Sequence, residues 1–286
     1  MNSVHHPSQN HLLAELQEAE CGRLAPFLEL VRMARGDVLY QSGGDMMHLY
    51  FPTSAIISID YVLEDGGTSE IASVGKEGLI GIALFMGGRS TPSRAVVQTA
   101  GHAYRLRVAR LLEEFYRKGP VLRLLLRYTQ ALMTQMAQAA VCNGHHSTEQ
   151  RLCRWLLQAL DRSNGSAILG TQENIAAILG VRREGVTDAA RRLQIMGLIS
   201  YRRGHVTVLN RPGLEHLSCE CYGVLRRESL RLLPDIRPRK PALDRPWRQR
   251  GELATRRLGN GDRRSAHQDA ADVIIAGNTQ TAFQFA

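Results

Sequence analysis

The stretch that most constrains the fold of this chain spans residues 171–199 and reads TQENIAAILGVRREGVTDAARRLQIMGLI. Apolar residues recur at helical spacing on both sides of Gly180, which predicts two helices joined by a tight turn. Thr171 is suited to cap the first helix, because its hydroxyl can accept a hydrogen bond from a free amide one turn on. Gly180 suits the turn, since the residue after a helix commonly takes a left-handed conformation that is costly for other residues.

The second predicted helix, over residues 182–194, has one apolar face and one polar face that is rich in arginine. Arginine, glutamate and threonine side chains can reach base edges and phosphates from the major groove. The residues that follow, SYRRGHVTVLN, predict a short hairpin with Gly204 at its turn, so the layout is a winged helix-turn-helix. The predicted DNA-binding residues are Thr171, Gln172, Arg182, Arg183, Glu184, Thr187, Arg191, Arg202 and Arg203.

Helix, glycine and helix alone would fit an ordinary helical hairpin as well. The charge distribution favours the DNA-binding interpretation. Residues 1–144 contain 13 basic and 13 acidic residues, residues 145–234 contain 13 and 8, and residues 235–286 contain 10 and 6. The positive excess lies in the predicted reading domain and the tail, as a polyanionic partner requires. Double-stranded DNA is therefore the predicted partner.

The stretch resembles the DNA-binding segment of the Crp/Fnr family of bacterial transcription regulators. The residues that carry the resemblance are Ile175, Ala176, Leu179, Gly180, Val181, Arg183, Glu184, Val186, Leu193, Gly197, Leu198 and Ile199. The resemblance extends more loosely over residues 20–234. It implies an α+β fold with an N-terminal double-stranded β-roll, a long dimerisation helix and a C-terminal winged helix-turn-helix. It also implies a homodimer, with RNA polymerase as a further candidate partner.

Residues 35–106 change to short β runs separated by glycine turns, which predicts an antiparallel roll or barrel. The runs span residues 38–40, 47–51, 55–61, 68–73, 95–99 and 103–106, after short predicted helices over residues 12–32. Their spacing is similar to that of cyclic-nucleotide-binding domains, in which the roll forms a ligand pocket. The resemblance gives Gly81, Arg94 and Ala95 as the candidate ligand-binding residues.

Ile82 stands where the resemblance calls for a glutamate that binds a ribose hydroxyl. Isoleucine cannot accept that hydrogen bond, and a buried hydroxyl without a partner costs roughly 1 to 3 kcal/mol. Cyclic nucleotide is therefore not expected as the ligand. An unknown small-molecule effector and a purely structural role for the roll both remain open.

A long helix is predicted over residues 121–142, which contain neither glycine nor proline. Apolar residues at the spacing of a coiled-coil seam give a predicted dimer interface of Leu122, Leu125, Thr129, Leu132, Met136 and Ala139. A second stripe, Leu126, Met133, Ala137 and Ala140, is expected to face the roll. The alternative is one helix buried on both sides inside a monomer. Residues 143–146 are interpreted as a hinge, and one more helix is expected over residues 214–233.

Five domains or segments result from these patterns. They are N-terminal helices over residues 1–34, the roll over 35–118, the dimerisation helix and hinge over 119–145, the winged helix-turn-helix over 146–234, and a basic tail predicted to be disordered over 235–286. The chain shows no secretory signal, and its longest apolar stretch is too short to cross a bilayer, so we expect it in the cytoplasm and at no membrane.

Five scattered cysteines argue against a disulfide framework. Cys219 and Cys221 could bind a soft metal, but no second ligand pair is expected nearby. His145 and His146 are interpreted as a polar linker. Neither a metal site nor a cofactor is predicted.

The sequence lacks the motifs of a zincin, a nucleophile elbow or a phosphate-binding loop, so no enzyme and no catalytic residue is predicted. The remaining alternative is a protein-interaction module that keeps the fold but has lost specific DNA reading. Asp188 favours this alternative, because the resemblance calls for a base-contacting arginine where Asp188 stands. Gly185 favours it too, because glycine weakens the interior of a helix.

Overall fold

The computed structural model describes residues 5–64, 67–163 and 167–233. Over these ranges the chain has the predicted α+β architecture, with a β-roll first, one long helix next and a helical domain with a small sheet last. In the same ranges, no helix combines the length and apolar character that crossing a membrane requires. The predicted tail over residues 235–286 lies outside the described residues.

Within the described residues, the roll contains seven strands in two antiparallel sheets. They are β1 (Glu29–Met33), β2 (Val38–Tyr40), β3 (His48–Pro52), β4 (Ile56–Val62), β5 (Thr68–Val74), β6 (Ser93–Thr99) and β7 (Gly101–Arg107). One sheet has the order β1-β7-β3 and the other β2-β6-β4-β5. Leu49, Ile57 and Leu106 are fully buried in the core of the roll. Each of the six predicted β runs overlaps one of these strands.

The strand β1 differs from the sequence prediction, which placed residues 12–32 in short helices. The helices α1 (His11–Ala14) and α2 (Glu18–Leu24) occupy only the first part of that range. Residues 29–33 instead pair antiparallel with β7. The apolar residues of so short a segment fit the period of a helix and of a strand, so its pairing partner decides the structure.

A short helix, α3 (Val108–Tyr116), leads from the roll to the long helix α4 (Pro120–His145). Proline suits the first turn of α4, where its missing amide would have no partner within the helix. The predicted hinge at residues 143–146 is wrong, because the helix continues through His145. Gly144 costs a helix only about 1 kcal/mol, which packing can outweigh. The chain turns at Ser147, which forms a capping box at the start of the next helix.

The two apolar stripes of α4 lie on the sides opposite to those predicted. Leu125, Thr129 and Leu132 are buried within their own chain, with at most 6% of each exposed, so their assignment to a dimer seam is wrong. Leu126 and Met133 are 53% and 58% exposed, so they do not face the roll. Both stripes have the spacing of a coiled-coil seam, and only packing decides which one the roll covers. The other predicted seam residues are partly buried: Leu122, Met136 and Ala139.

The C-terminal domain has its own core, which includes Leu156, Ile175 and Leu193. Its elements are α5 (Thr148–Arg162), β8 (Ala167–Leu169), α6 (Gln172–Leu179), α7 (Arg183–Ile195), β9 (Ile199–Arg202), β10 (His205–Val208), α8 (Arg211–Leu217) and α9 (Glu220–Leu232). The predicted hairpin is formed by β9 and β10, and β8 adds a third strand beside β10. The single helix expected over residues 214–233 is two helices, because the backbone is extended at Ser218 and Cys219.

Candidate nucleic-acid interface

The first helix of the helix-turn-helix, α6, begins and ends as predicted. The Thr171 hydroxyl accepts a hydrogen bond from the amide of Asn174 at 3.2 Å and so caps the helix. Gly180 has φ 60° and ψ 43°, the left-handed conformation that the tight turn needs. The Val181 amide then donates to the carbonyl of Ala176 at 3.0 Å. These local bonds close the turn and start α7 directly after it.

The second helix, α7, has one face in the core of the domain and one in solvent. Its buried side chains are those of Val186, Ala189, Ala190 and Leu193, each at most 2% exposed. All of the reading residues predicted for this segment are exposed: Arg182, Arg183, Glu184, Thr187 and Arg191. The structure therefore brings these polar side chains together on the solvent side of one helix and its cap.

A polar groove of about 330 Å³ lies between α7 and the wing. Its lining comes from both helices of the helix-turn-helix and from the wing: Thr171, Gln172, Glu173, Arg183, Gln194, Tyr201, Arg203 and Gly204. The Thr187 hydroxyl donates to Oε1 of Gln172 at 2.9 Å and joins the two helices at their exposed edge. Oε1 of Gln194 accepts from the amide of Tyr201 at 2.9 Å and joins α7 to the wing. Sequence reasoning missed these last two residues, because only their contacts show that they hold the wing against the helix.

The wing tip is a two-residue turn at Arg203 and Gly204, between the paired residues Arg202 and His205. The two turn residues have φ of 49° and 78°. Positive φ at both positions is what a type I′ hairpin turn requires. This conformation is uncommon for arginine, so the backbone of Arg203 is somewhat strained. The Arg203 side chain is exposed to solvent.

Within the described residues, the arginines of this surface have no acidic partner. They are Arg182, Arg183, Arg191, Arg202 and Arg203, and no carboxylate of the described residues lies within 4.0 Å of their guanidinium nitrogens. Arg192 of the same helix instead pairs with Glu149 at 2.7 Å. Cations without internal partners are available to neutralise phosphates, which is the main source of affinity for DNA.

Comparison with protein families agrees with this geometry. A model of the Crp-like helix-turn-helix domain matches residues 150–217, and a model of the cyclic nucleotide-binding domain matches residues 30–117. The chain belongs to the Crp/Fnr family. This Crp/Fnr protein is a DNA-binding transcription regulator, and the alternative of an interaction module without DNA reading is not favoured. Crp/Fnr regulators bind DNA, dimerise and are typically not enzymes.

Solved structures show the same fold at low sequence identity. FixK2 from Bradyrhizobium japonicum is 16% identical with a TM-score of 0.60, and the match covers 67% of this chain and 98% of FixK2. The c-di-GMP-responsive regulator CLP of Xanthomonas campestris is 17% identical with a TM-score of 0.55, over 66% of this chain and 98% of CLP.

A Crp/Fnr regulator from Thermus thermophilus is 20% identical with a TM-score of 0.54, over 66% of this chain and 98% of that protein. At such identities the likeness shows the fold alone. No curated protein matches the chain.

The roll of this Crp/Fnr regulator and α4 line a half-open cavity of about 380 Å³. Most of its lining is apolar, including Leu79, Ile82, Met86 and Met136. Its hydroxyl groups come from Tyr40, Tyr61, Thr91 and Ser93. Among the described residues that line the cavity, none carries a charge. The cavity therefore suits a ligand with little or no charge.

Of the three candidate ligand-binding residues, only Gly81 lines this cavity. Ala95 is buried in the core of the roll, and Nε of Arg94 lies 3.7 Å from a carboxylate oxygen of Asp60. Neighbouring side chains of a strand point to opposite faces of a sheet, so Arg94 faces away from Ser93 and Ala95. The ligand-binding roles predicted for Arg94 and Ala95 are therefore wrong for this cavity.

The fold also brings together four side chains that sequence reasoning left apart: Cys142, His146, Cys219 and Cys221. The interpretation that no second ligand pair lies near the two C-terminal cysteines is wrong, and so is the assignment of His146 to a polar linker. The spacing of Cys142 and His146, four residues apart on one helix, is the signal that could have found the second pair.

Proposed function

We propose that two copies of this chain pair along the exposed stripe of α4 and read DNA with α7 and the wing of each copy. The exposed stripe consists of Leu126, Met133, Ala137, Ala140 and Val141. The observation that carries the proposal is the polar groove between α7 and the wing, surrounded by arginines that no acidic residue of the described chain neutralises. RNA polymerase is the further partner proposed for such a regulator. We assign no catalytic activity to the chain itself.

The side chains of the interface divide into two chemical roles. Arg183 is the best placed to donate to O6 and N7 of a guanine, and Glu184 can accept from the amino group of a cytosine. Arg202 and Arg203 at the wing tip are assigned to phosphates, which fix position without reading sequence. The supporting positions, proposed to orient the helix or contact the backbone, are Thr171, Gln172, Arg182, Thr187 and Arg191.

The cavity of the roll is proposed to bind an uncharged effector rather than a cyclic nucleotide. A cyclic nucleotide would bury a phosphate without a cation, and Ile82 in the lining cannot pair with a ribose hydroxyl. Calorimetry with cyclic AMP and cyclic GMP is expected to show no binding at micromolar concentrations. Micromolar affinity for either nucleotide would reject this part of the proposal.

DNA reading is tested by sequencing the genomic fragments that co-purify with the protein and titrating the recovered site. We expect two half-sites about 10 base pairs apart, centre to centre. Arg183→Ala is expected to lose roughly 1 to 3 kcal/mol and to blur the preference at one base pair per half-site. Arg89→Ala, which removes an exposed arginine of the roll, is the matched control. If Arg183→Ala changes neither affinity nor base preference, α7 is not the reader.

A further inference from the structure

Four metal-binding side chains converge where α4 ends and α9 begins. Cys142 and His146 lie one turn apart at the end of α4, and Cys219 and Cys221 stand at the start of α9. One donor atom of each residue lies within 4.8 Å of the donor atoms of the other three. Sγ of Cys142 is 3.6 Å from Sγ of Cys219, and Sγ of Cys221 is 3.5 Å from Nδ1 of His146.

The Cys142–Cys219 and Cys221–His146 distances match those of a tetrahedral metal site. With Zn–S of about 2.3 Å and Zn–N of about 2.0 Å, tetrahedral geometry places two sulfurs about 3.8 Å apart and a sulfur about 3.5 Å from a nitrogen. A disulfide would need about 2.05 Å between the sulfurs, so Cys142 and Cys219 are two free thiols.

The groups around the four side chains also fit a metal site. Oε2 of Glu220 lies 3.2 Å from Nε2 of His146, so a carboxylate holds the ring nitrogen that faces away from the thiols. Carboxylates behind metal-binding histidines orient the ring and raise its basicity in this way. Nε2 of Gln138 donates to Sγ of Cys221 at 3.0 Å, which stabilises a thiolate there.

A buried cation accompanies the cluster. Three thiolates and one zinc ion carry one net negative charge, and the guanidinium of Arg154, buried with 7% exposed, acts on Cys142. The thiolate is the form of cysteine that binds metals.

We propose that Cys142, His146, Cys219 and Cys221 bind one zinc ion in a closed, tetrahedral site. Three sulfurs and one imidazole nitrogen form a ligand set typical of structural zinc. Four protein ligands leave no open position for a substrate or a water, so the site holds the fold together and is not catalytic.

The position of the site decides what the ion would stabilise. The Crp-like helix-turn-helix domain matches residues 150–217, so two ligands precede this domain and two follow it. One zinc ion would therefore close the two ends of the DNA-reading domain onto the end of α4. Loss of the ion would release α9 from α4 and loosen the link between the reading domain and the long helix.

The direct test is the metal content of the full chain, purified without a histidine tag and with reductant. We expect elemental mass spectrometry to find one zinc ion per chain. Cys219→Ser and Cys221→Ser should weaken zinc binding by more than about 100-fold, and Glu220→Gln by about 10-fold, because Glu220 only orients His146. Cys21→Ser removes another buried thiol, in the core of the roll, and should keep one zinc.

Cobalt replacement tests the geometry without any substitution. The zinc-free wild-type chain should take up one Co²⁺ and show the strong visible bands of a tetrahedral ion with thiolate ligands. Wild-type protein that binds neither zinc nor cobalt, or that carries a Cys142–Cys219 disulfide under native conditions, would overturn the proposal. Retention of zinc by a Cys142→Ser, Cys219→Ser double variant, or an iron–sulfur chromophore in place of zinc, would overturn it as well.

Discussion

Arg162, in α5 of the DNA-reading domain, donates from Nε to Oε1 of Glu77 in the roll at 2.7 Å. The same guanidinium donates to the Ser73 hydroxyl at 2.9 Å, and the Gly75 amide donates to Glu77 at 3.1 Å. Burial raises the pKa of Glu77, but the charge and hydrogen bond of Arg162 outweigh it and leave that pKa below its usual value of 4.5. The sensor-like roll and the reading domain are thus joined by a largely buried ion pair.

Removing one member of this pair should destabilise the chain, because the other member is left as a buried charge without a partner. We expect Arg162→Ala to lower the free energy of unfolding at pH 7 by about 3 kcal/mol, measured by urea denaturation. The loss should shrink as pH falls below 4.5, where Glu77 becomes protonated. Arg192→Ala breaks the more exposed pair with Glu149 and should cost at most about 1 kcal/mol. Equal losses in the two variants would contradict this reading of the pair.

Glu70 should make stability fall as pH rises. Burial raises its pKa to about 7, although the Ser58 hydroxyl donates to its Oε2 at 2.7 Å. A raised pKa means that the folded chain keeps a proton that the unfolded chain has lost, so stability is lost between about pH 4.5 and 7. Glu70→Gln should therefore match the wild type at pH 4 and be more stable by on the order of 2 kcal/mol at pH 8. Thermal melting at the two pH values checks this, and a gain that does not depend on pH would refute it.

Pairing through the exposed stripe of α4 predicts that Met133→Asp separates the dimer and leaves each chain folded. Leu132→Asp places a charge in the core of the roll, where 3% of the leucine is exposed, and should instead unfold the chain. Sedimentation and circular dichroism distinguish the two effects. Tyr116→Asp changes another exposed apolar residue, 70% exposed, and should keep the dimer. A Met133→Asp protein that still sediments as two chains would place the interface elsewhere.

The wing should contribute affinity without sequence preference. Arg202→Ala is expected to weaken binding to all DNA sequences alike and to reduce the dependence of log affinity on log salt by about one. Fluorescence titration at several salt concentrations measures this slope. Arg192→Ala is a suitable control, because Arg192 already pairs with Glu149. A slope unchanged by Arg202→Ala would remove the wing tip from the interface.

The parts of this protein that depend on near neighbours along the chain follow from its amino-acid sequence. The cap at Thr171, the left-handed turn at Gly180 and the hairpin around Gly204 each involve residues within a few positions of one another. Their conformations follow from local hydrogen bonds and allowed backbone angles. The helix-turn-helix, its arginine-rich face and the family could therefore be predicted from the order of the residues alone.

The features that depend on distant partners are decided by tertiary packing. Both stripes of α4 are apolar at the same spacing, and the packing of the roll determines that Leu132 is buried and Met133 is exposed. Residues 29–33 become a strand because β7 lies beside them. Cys142 and Cys219 are 77 positions apart, and no sequence pattern predicts that the fold brings their sulfurs together. Such contacts depend on how the whole chain packs. The spacing of apolar residues indicates which face of a helix or strand is apolar, but it does not indicate which part of the chain packs against that face.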